Sequence, residues 1–384
     1  MQKREINMTA KQPIVSDQAV SENLQRFWSP EVRTLTPYVP GEQPKIDNLL
    51  KLNTNESPFP PSPKVAEAII AALSEQADLG AGSSLRLYPD PDATVLKQAI
   101  AMQQNLNLNQ VFVGNGSDEV LAHIFKAFFM HDKPVLYPDI SYSFYPVYSQ
   151  FFNINAVQVP LADDFSVDIK GYNQPNGGII IANPNAPTGV YLPLSQVEKL
   201  LQQHPNSVVV IDEAYIDFGG QSAVSLIAKY DNLVVCQTTS KSRALAGLRV
   251  GMAFAQAHLV TALERVKNSF NSYPIDRLAI AGAVASFEDQ AYFEQTCRQT
   301  INNREQLVSQ LNSLGFDILP SKANFIFAQH PQYQAVDIAA QLRDVGIIVR
   351  HFNAPKISNF LRITVGTLEQ QQRLVDQLQH IIKR

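Results

Sequence analysis

The chain has 384 residues, 45% of them hydrophobic, and a net charge of −4 at neutral pH. This is enough for a large core and predicts two domains, or one large domain with a smaller satellite. The weak negative charge and the lack of a long basic stripe argue against nucleic-acid binding. Without a secretory signal or an apolar run of bilayer length, we expect a cytoplasmic protein that does not enter the membrane. The far-separated Cys236 and Cys297 are expected to be buried free thiols.

Residues 1–30 are polar and aperiodic and predict a mobile arm, which a Pro- and Gly-rich loop at 35–44 follows. Apolar, β-branched runs then alternate with helical patterns over residues 61–275. Strands are predicted at 111–113, 134–138, 156–161, 178–183, 207–212, 233–239 and 248–255, and helices at 63–76, 117–130, 194–203 and 222–229. Continuous apolar strands joined by helices are typical of a mostly parallel sheet covered on both faces. We therefore predict a large α/β domain with a seven-stranded sheet.

The pattern changes after residue 275, where long helices are followed by short strands. Helices are predicted at 276–287, 291–314 and 368–382, and strands at 324–328, 347–350 and 361–365. This mixture predicts a smaller α+β domain over residues 276–384, which the N-terminal segment 31–60 joins.

The stretch VVVIDEAYIDF (208–218) is a buried strand that ends in Asp212 and Glu213. Ligands of open α/β sheets lie beyond the carboxyl ends of the strands, so Asp212 should face a ligand. It could hold Mg²⁺ in an ATPase, pair with the ring nitrogen of a cofactor, or only cap the next turn. The ATPase needs a phosphate loop that ends in Gly-Lys, and the chain contains no Gly-Lys pair.

The stretch VFVGNGSDEV (111–120) is a strand, a glycine loop and the start of a helix. Gly116 lets the backbone approach an anion, and the amides of Ser117 and Asp118 would face it. Glu119 occupies the place of the third glycine of a dinucleotide motif, so a single phosphate group fits better. A simple helix cap is the alternative.

The stretch TTSKSRALAGLR (238–249) contains one lysine and two arginines among small residues and no acidic residue. Lys241 follows the end of a strand, where desolvation would favour its free amine for covalent chemistry. Arg249 offers two parallel hydrogen bonds to a phosphate group. With Asp212 and the 111–120 loop, these residues form the set that pyridoxal phosphate requires, and no metal site is predicted.

Two further stretches agree with a pyridine cofactor, although each has an ordinary alternative. Tyr142 could stack on the ring or simply pack in the core. In NPNAPTG (183–189), exposed asparagine side chains could bond a ring hydroxyl, but turn formation explains Asn-Pro equally well.

Seven stretches, taken in order, resemble the motifs of fold-type I aminotransferases that use pyridoxal phosphate. They are LNTNESPF, RLYPDP, GNGSDE, NPNAPTG, IDEAYIDF, SKSRALAGLRVG and LRITVG. The stretches LTPYVPG and GIIVRHF narrow the resemblance to the histidinol-phosphate aminotransferase family. The resemblance covers the chain from about residue 33 to its end. It implies an aspartate-aminotransferase-like fold and a homodimer.

The resemblance also implies a role for each matched residue. Lys241 would bond covalently to the cofactor and then act as general base and acid, while Asp212 would hold the proton on the pyridine nitrogen. The other cofactor contacts implied are Tyr142 on the ring face, Tyr215 and Asn185 at the ring hydroxyl, and Gly116, Ser117, Asp118, Ser240, Arg249 and the neighbouring subunit's Tyr88 at the phosphate. The substrate pocket would contain Tyr38, Asn55, Arg350 and Arg362. Ala186 stands where the family usually has the asparagine that bonds the ring hydroxyl, so Asn185 or Asn183 is expected to replace it.

The implied reaction is amino transfer between L-histidinol phosphate and 2-oxoglutarate, which gives imidazole-acetol phosphate and L-glutamate in histidine biosynthesis. An aromatic aminotransferase and a phosphorylated-amino-acid decarboxylase of the same fold remain alternatives. A strand-acid ATPase and a non-catalytic cofactor-binding regulator fit the sequence less well.

Overall fold

The computed structural model describes residues 25–45, 48–74, 80 and 82–382. Most of the arm expected at 1–30 and the end of the helix expected at 63–76 lie outside the described residues. The chain divides into two units, Met1–Pro37 and Tyr38–Arg384. In the first unit, helix α1 (Pro30–Thr34) has a proline in its first turn and no buried residue.

Among the described residues, the second unit contains two sheets. Its strands are β1 (Leu50–Leu52), β2 (Val111–Asn115), β3 (Val135–Pro138), β4 (Ala156–Val159), β5 (Gly178–Ala182), β6 (Val208–Asp212), β7 (Leu233–Thr238), β8 (Val250–Ala255), β9 (Asp317–Ile318), β10 (Phe325–Gln329), β11 (Ile347–His351) and β12 (Leu361–Thr364). The large sheet has the order β2-β8-β7-β6-β5-β3-β4. Strand β8 is antiparallel to both neighbours, and the other pairs are parallel. The predicted seven-stranded, mostly parallel sheet is confirmed.

Helices cover both faces of the large sheet. The helices of the second unit are α2 (Pro63–Ser74), α3 (Thr94–Gln104), α4 (Gly116–Ile124), α5 (Phe144–Phe151), α6 (Leu194–Gln203), α7 (Ala257–Phe270), α8 (Arg277–Glu288), α9 (Gln290–Ser313), α10 (Ala335–Asp344) and α11 (Leu368–Ile382). Helices α3, α6 and α8 bury apolar residues on one face, and α4, α5 and α7 on the other. Alternate residues of each central strand enter the two cores, which explains why these strands are apolar throughout.

Several local predictions differ from the structure. The helix expected at 117–130 is α4 followed by a π-turn at Phe125–Phe129, and the helix expected at 222–229 is a short 3-10 turn at Ala223–Leu226. The Ser222 hydroxyl accepts a hydrogen bond from the Val224 amide and favours that tighter turn. Helix α8 packs in the core of the large sheet, so this core continues past the boundary expected at residue 276.

The smaller sheet has the order β1-β11-β12-β10-β9. Strand β1 is parallel to β11, and the remaining pairs are antiparallel. Helices α9, α10 and α11 bury leucine and isoleucine side chains against this sheet. Arg350 and Arg362 face each other in register on β11 and β12. No helix in the described ranges has the length and apolar character needed to cross a membrane.

Candidate active site

A cavity of about 500 Å³ lies beyond the carboxyl ends of β6 and β7, between the large sheet and the smaller one. This is the expected ligand position in an open α/β sheet. Of the residues predicted from sequence, it is lined by Tyr38, Asn55, Ser117, Asp118, Tyr142, Asp212, Tyr215, Ser240, Lys241, Arg249, Arg350 and Arg362. Elements far apart in sequence therefore bring the predicted anion-binding, acidic and lysine residues to one place.

Asp212 is the buried acid of the cavity. Its Oδ2 accepts a hydrogen bond of 2.9 Å from the Tyr145 hydroxyl, whereas Oδ1 is buried without a hydrogen-bond partner among the described residues. Burial raises the pKa of Asp212 to about 6, although the Tyr145 hydrogen bond and the Ala214 amide lower it. A carboxylate oxygen left unpaired in a buried site is costly, so Oδ1 is suited to a donor that a ligand brings.

Lys241 follows β7 on the same side of the cavity. Its Nζ donates to the carbonyl oxygen of Thr54 at 3.3 Å and lies 5.7 Å from the centre of the Tyr215 ring. Among the described ion pairs, none involves Lys241. The one hydrogen bond of this amine among the described residues is long, so the amine is available for a ligand.

The start of α4 forms an anion cup. Gly116 has a φ of +78°, and a Cβ there would lie 2.5 Å from the Arg249 guanidinium. The backbone of Gly116 and Ser117 crosses directly over Gly251 of β8, where a Cβ would lie 2.3 Å from the Gly116 carbonyl carbon. Two glycines are therefore needed to bring backbone amides and a guanidinium together. Exposed amides at a helix start and an arginine are well suited to a phosphate group.

Asp118 and Tyr142 complete this side of the cavity. Asp118 pairs with Arg249 at 3.2 Å and accepts a hydrogen bond of 3.0 Å from the Tyr142 hydroxyl. Both partners of the ion pair are nearly half exposed, so the pair itself contributes little stability. The Tyr142 ring is thus fixed at the cavity wall, edge-on to Tyr145 at 5.6 Å.

A hydrogen-bonded cluster joins the two sheets. Asn55, which has a φ of +56°, donates from Nδ2 to the Tyr215 hydroxyl at 3.0 Å and accepts from the Thr364 hydroxyl at 3.1 Å. Because the Tyr215 oxygen accepts from Asn55, its own proton remains available to a ligand.

Arg350 and Arg362 bring positive charge to the opposite wall. Arg362 donates to the Asn53 carbonyl at 2.8 Å, and its buried Nε has no partner among the described residues. The described ion pairs include neither arginine, and Phe352 lies under both guanidinium groups at about 5.5 Å. Burial, with the neighbouring Arg350, lowers the pKa of Arg362. Two adjacent arginines without a carboxylate form a site for an anionic ligand.

Of the predicted residues, Gly116, Asn183, Asn185 and Tyr88 do not line the cavity. The Asn185 side chain is buried, accepts from the Ser141 hydroxyl at 2.9 Å and donates to the Ile140 carbonyl and the Thr188 hydroxyl. Its amide is therefore already used by the distant 140–141 segment and by Thr188 of its own loop. Tyr88 is 78% exposed and stacks on Tyr273 at 4.6 Å, away from the cavity.

Tyr145, Thr54 and Phe352 belong to the site or contact it but were not predicted from the sequence. Tyr142 precedes α5 and Tyr145 lies in its first turn, so no helical spacing in the sequence marks Tyr145. The cations of the 238–249 stretch do not all reach the cavity. Arg243 does not reach the cavity but lies between the rings of Phe287 and Phe293, at 3.9 and 4.1 Å.

Comparisons with known proteins agree with this geometry. The profile of aminotransferase class I and II matches residues 47–378. Histidinol-phosphate aminotransferase from Acinetobacter baumannii (strain SDF) is 68% identical over 94% of this chain and 99% of its own, and that from Pseudomonas putida (strain W619) is 59% identical over 92% and 100%. The solved structure of histidinol-phosphate aminotransferase from Sinorhizobium meliloti, in complex with pyridoxal-5'-phosphate, is 25% identical with a TM-score of 0.83 over 96% of this chain and 99% of that one. The chain therefore belongs to the histidinol-phosphate aminotransferases, within the class I and II aminotransferase family.

Proposed function

We infer that this chain is a transaminase that transfers the amino group of L-histidinol phosphate to 2-oxoglutarate, in histidine biosynthesis. The products are imidazole-acetol phosphate and L-glutamate. The observation that carries this proposal is the single cavity that combines Lys241, the half-satisfied Asp212 and the Arg350–Arg362 pair. The relatives at 59–68% identity carry the same name.

The residues of the cavity fit pyridoxal 5'-phosphate. The unpartnered Oδ1 of Asp212 would accept the N–H of the pyridine ring, and the amides of Ser117 and Asp118 with Arg249 would hold the phosphate. Ser240, whose hydroxyl accepts from Thr238 at 3.0 Å, would add a phosphate contact with its own proton. When bound, this cofactor supplies an electron-accepting ring that stabilises negative charge on the substrate carbon beside the amine.

Protons are moved and held by side chains of this chain. Lys241 Nζ would hold the cofactor covalently, and its free amine would act as the base that takes the proton from the substrate carbon and as the acid that returns it. The Thr54 carbonyl keeps that amine within the cavity. Asp212 would hold the proton on the ring nitrogen, and Tyr215, whose oxygen already accepts from Asn55, would donate its hydroxyl proton to the ring hydroxyl oxygen.

Arg350 and Arg362 would bind the anionic end of each substrate in turn. A guanidinium group makes two parallel hydrogen bonds to a phosphate or to a carboxylate. The same pair can therefore bind histidinol phosphate in one half-reaction and glutamate in the other. Tyr38 and Phe352 line the cavity and offer aromatic surface to a substrate side chain.

The exposed Tyr88 extends this proposal to a homodimer. A tyrosine that is 78% exposed and stacked on Tyr273 is available to the cofactor phosphate of a second copy. An enzyme of amino-acid biosynthesis of this kind would act in the cytoplasm.

A comparison of amino donors tests the proposed substrate. Histidinol phosphate, phenylalanine, tyrosine and aspartate are each supplied with 2-oxoglutarate, and glutamate formation is measured. We expect the highest kcat/KM with histidinol phosphate. A preference for phenylalanine or tyrosine would identify an aromatic aminotransferase, and release of carbon dioxide from a phosphorylated amino acid would identify a decarboxylase.

A further inference from the structure

The Tyr145 hydroxyl makes the one direct side-chain hydrogen bond to Asp212 that is found among the described residues. The bond is 2.9 Å long and joins two side chains that are 0% and 5% exposed. Tyr145 belongs to α5, whereas Asp212 ends β6, so the bond connects a helix to the end of a strand. It occupies Oδ2 and leaves Oδ1 without a partner.

The Tyr145 ring has little freedom to move. Tyr137 lies 5.9 Å from it, Tyr142 5.6 Å at 90°, and Phe125 6.3 Å, measured between ring centres. A ring packed on three sides holds its hydroxyl at one point, because close-packed cores allow few alternative rotamers. The position of the Asp212 carboxylate is therefore set by a rigid aromatic cluster.

We propose that Tyr145 is a positioning residue for transamination, whose hydroxyl fixes the Asp212 carboxylate with Oδ1 facing the cofactor ring nitrogen. The proposal rests on the proposed function in that it assigns the ring nitrogen to Asp212. Tyr145 itself does not line the cavity. It acts only through Asp212: the Tyr145 hydroxyl bonds Oδ2, whereas the ligand would bond Oδ1.

The groups that face Asp212 determine how the loss of the Tyr145 hydrogen bond would change the pKa of Asp212. They are Tyr145 from α5, Asp118 from the start of α4, the Cys236 thiol on β7 and the Ala214 amide. Asp118 raises the pKa of Asp212, and Cys236 is a neutral thiol whose own pKa is raised by burial and by Asp212. The Tyr145 hydroxyl and the Ala214 amide are the groups that lower it, so removal of the hydroxyl should raise the pKa of Asp212 above about 6.

The direction in which cofactor affinity changes with pH follows from the pKa of Asp212. The ionised form of Asp212 is the form that accepts the ring N–H, so affinity for the cofactor should fall as the pH falls through the pKa of Asp212. In Tyr145→Phe that acid-side loss should begin at a higher pH. One hydrogen bond to a charged group corresponds to a change in affinity on the order of tenfold to a hundredfold.

The test uses cofactor-free protein titrated with pyridoxal 5'-phosphate at a series of pH values, with no substrate present. Tyr145→Phe should bind more weakly and should lose affinity at a higher pH than wild type. Tyr137→Phe is the matched control, since it removes a hydroxyl from the same buried cluster that faces Ser149 and Gln158 and not Asp212. It should show the wild-type pH midpoint. Equal midpoints for Tyr145→Phe and Tyr137→Phe would overturn the proposal.

A double-mutant cycle separates this role from a general loss of stability. Asp212→Asn removes the charge, so the further change Tyr145→Phe should then alter cofactor affinity by less than about threefold. A full tenfold loss in both backgrounds would mean that Tyr145 acts on the fold and not on Asp212, and the proposal would fail. Because no turnover is measured, an error in the proposed substrate would not affect this result.

Discussion

Substitution of Gly251 by alanine should disturb the anion cup although Gly251 itself does not line the cavity. An added Cβ would lie 2.3 Å from the Gly116 carbonyl carbon and 2.4 Å from the Ser117 nitrogen. Carbon atoms in contact normally lie about 3.5–4.0 Å apart, so the 116–117 backbone must move by roughly 1 Å. Both neighbours are backbone atoms and cannot turn away as a flexible side chain could.

The cost of such overpacking is typically about 1–3 kcal/mol. If the strain is relieved by displacement of the cup, affinity for pyridoxal phosphate should fall by about 5- to 150-fold. Gly247→Ala is the matched control, because Gly247 has no atom within 4 Å of its added Cβ. It should change affinity by about twofold or less. Both variants are titrated with the cofactor, and equal affinities would refute the reasoning that Gly251 supports the cup.

Three other variants test individual side chains. Lys241→Ala should still bind the cofactor but lose transamination, and borohydride should fix the cofactor of the wild-type protein to Lys241; a label on another lysine would contradict this. Arg362→Lys should weaken both half-reactions roughly 10- to 100-fold, since an ammonium group cannot make two parallel hydrogen bonds; a loss in single-turnover rates with only one of histidinol phosphate and glutamate would show separate anion sites. Burial raises the pKa of Glu213 from 4.5 to about 7, so its protonated form contributes stability below pH 4.5 that is lost as the pH rises to about 7. The melting temperature of cofactor-free wild type, relative to Glu213→Gln, should therefore fall over that range, and parallel curves would contradict the assignment.

The central strands could be predicted from sequence because both of their faces are buried. Strands β5 to β8 are almost wholly buried, and their apolar, β-branched runs need no partner to be recognised. Asp212 and Lys241 could also be predicted as site residues, because they stand at or just after the ends of such strands. Helix α5 was not predicted, because FYPVYSQF contains a proline and aromatic residues with a weak helical preference. It is stabilised by Tyr145 and Tyr148, which pack into the core of the large sheet.

Residues whose partners are distant in sequence could not be assigned. Asn185 bonds Ser141, 44 residues earlier, so nothing near NPNAPTG reveals that its amide is already used. Arg243 stands among the cations of the anion site in sequence, yet its charge lies between two phenylalanine rings of α8 and α9. Sequence identifies which residue types are gathered in a stretch, but the direction of each side chain depends on the packing of other segments.

The pairing of β1 with β11 has a consequence for synthesis of the chain on the ribosome. Asn55, just after β1, bonds Thr364 at the end of β12, 309 residues later. At about 5–20 residues per second, roughly 15–60 seconds pass between the emergence of these two segments. During that interval the large sheet can assemble, while Leu50–Leu52 has no strand to join. The substrate side of the cavity is thus completed only after β11 and β12 have left the ribosome, so nascent chains should acquire the large sheet before they can bind substrate.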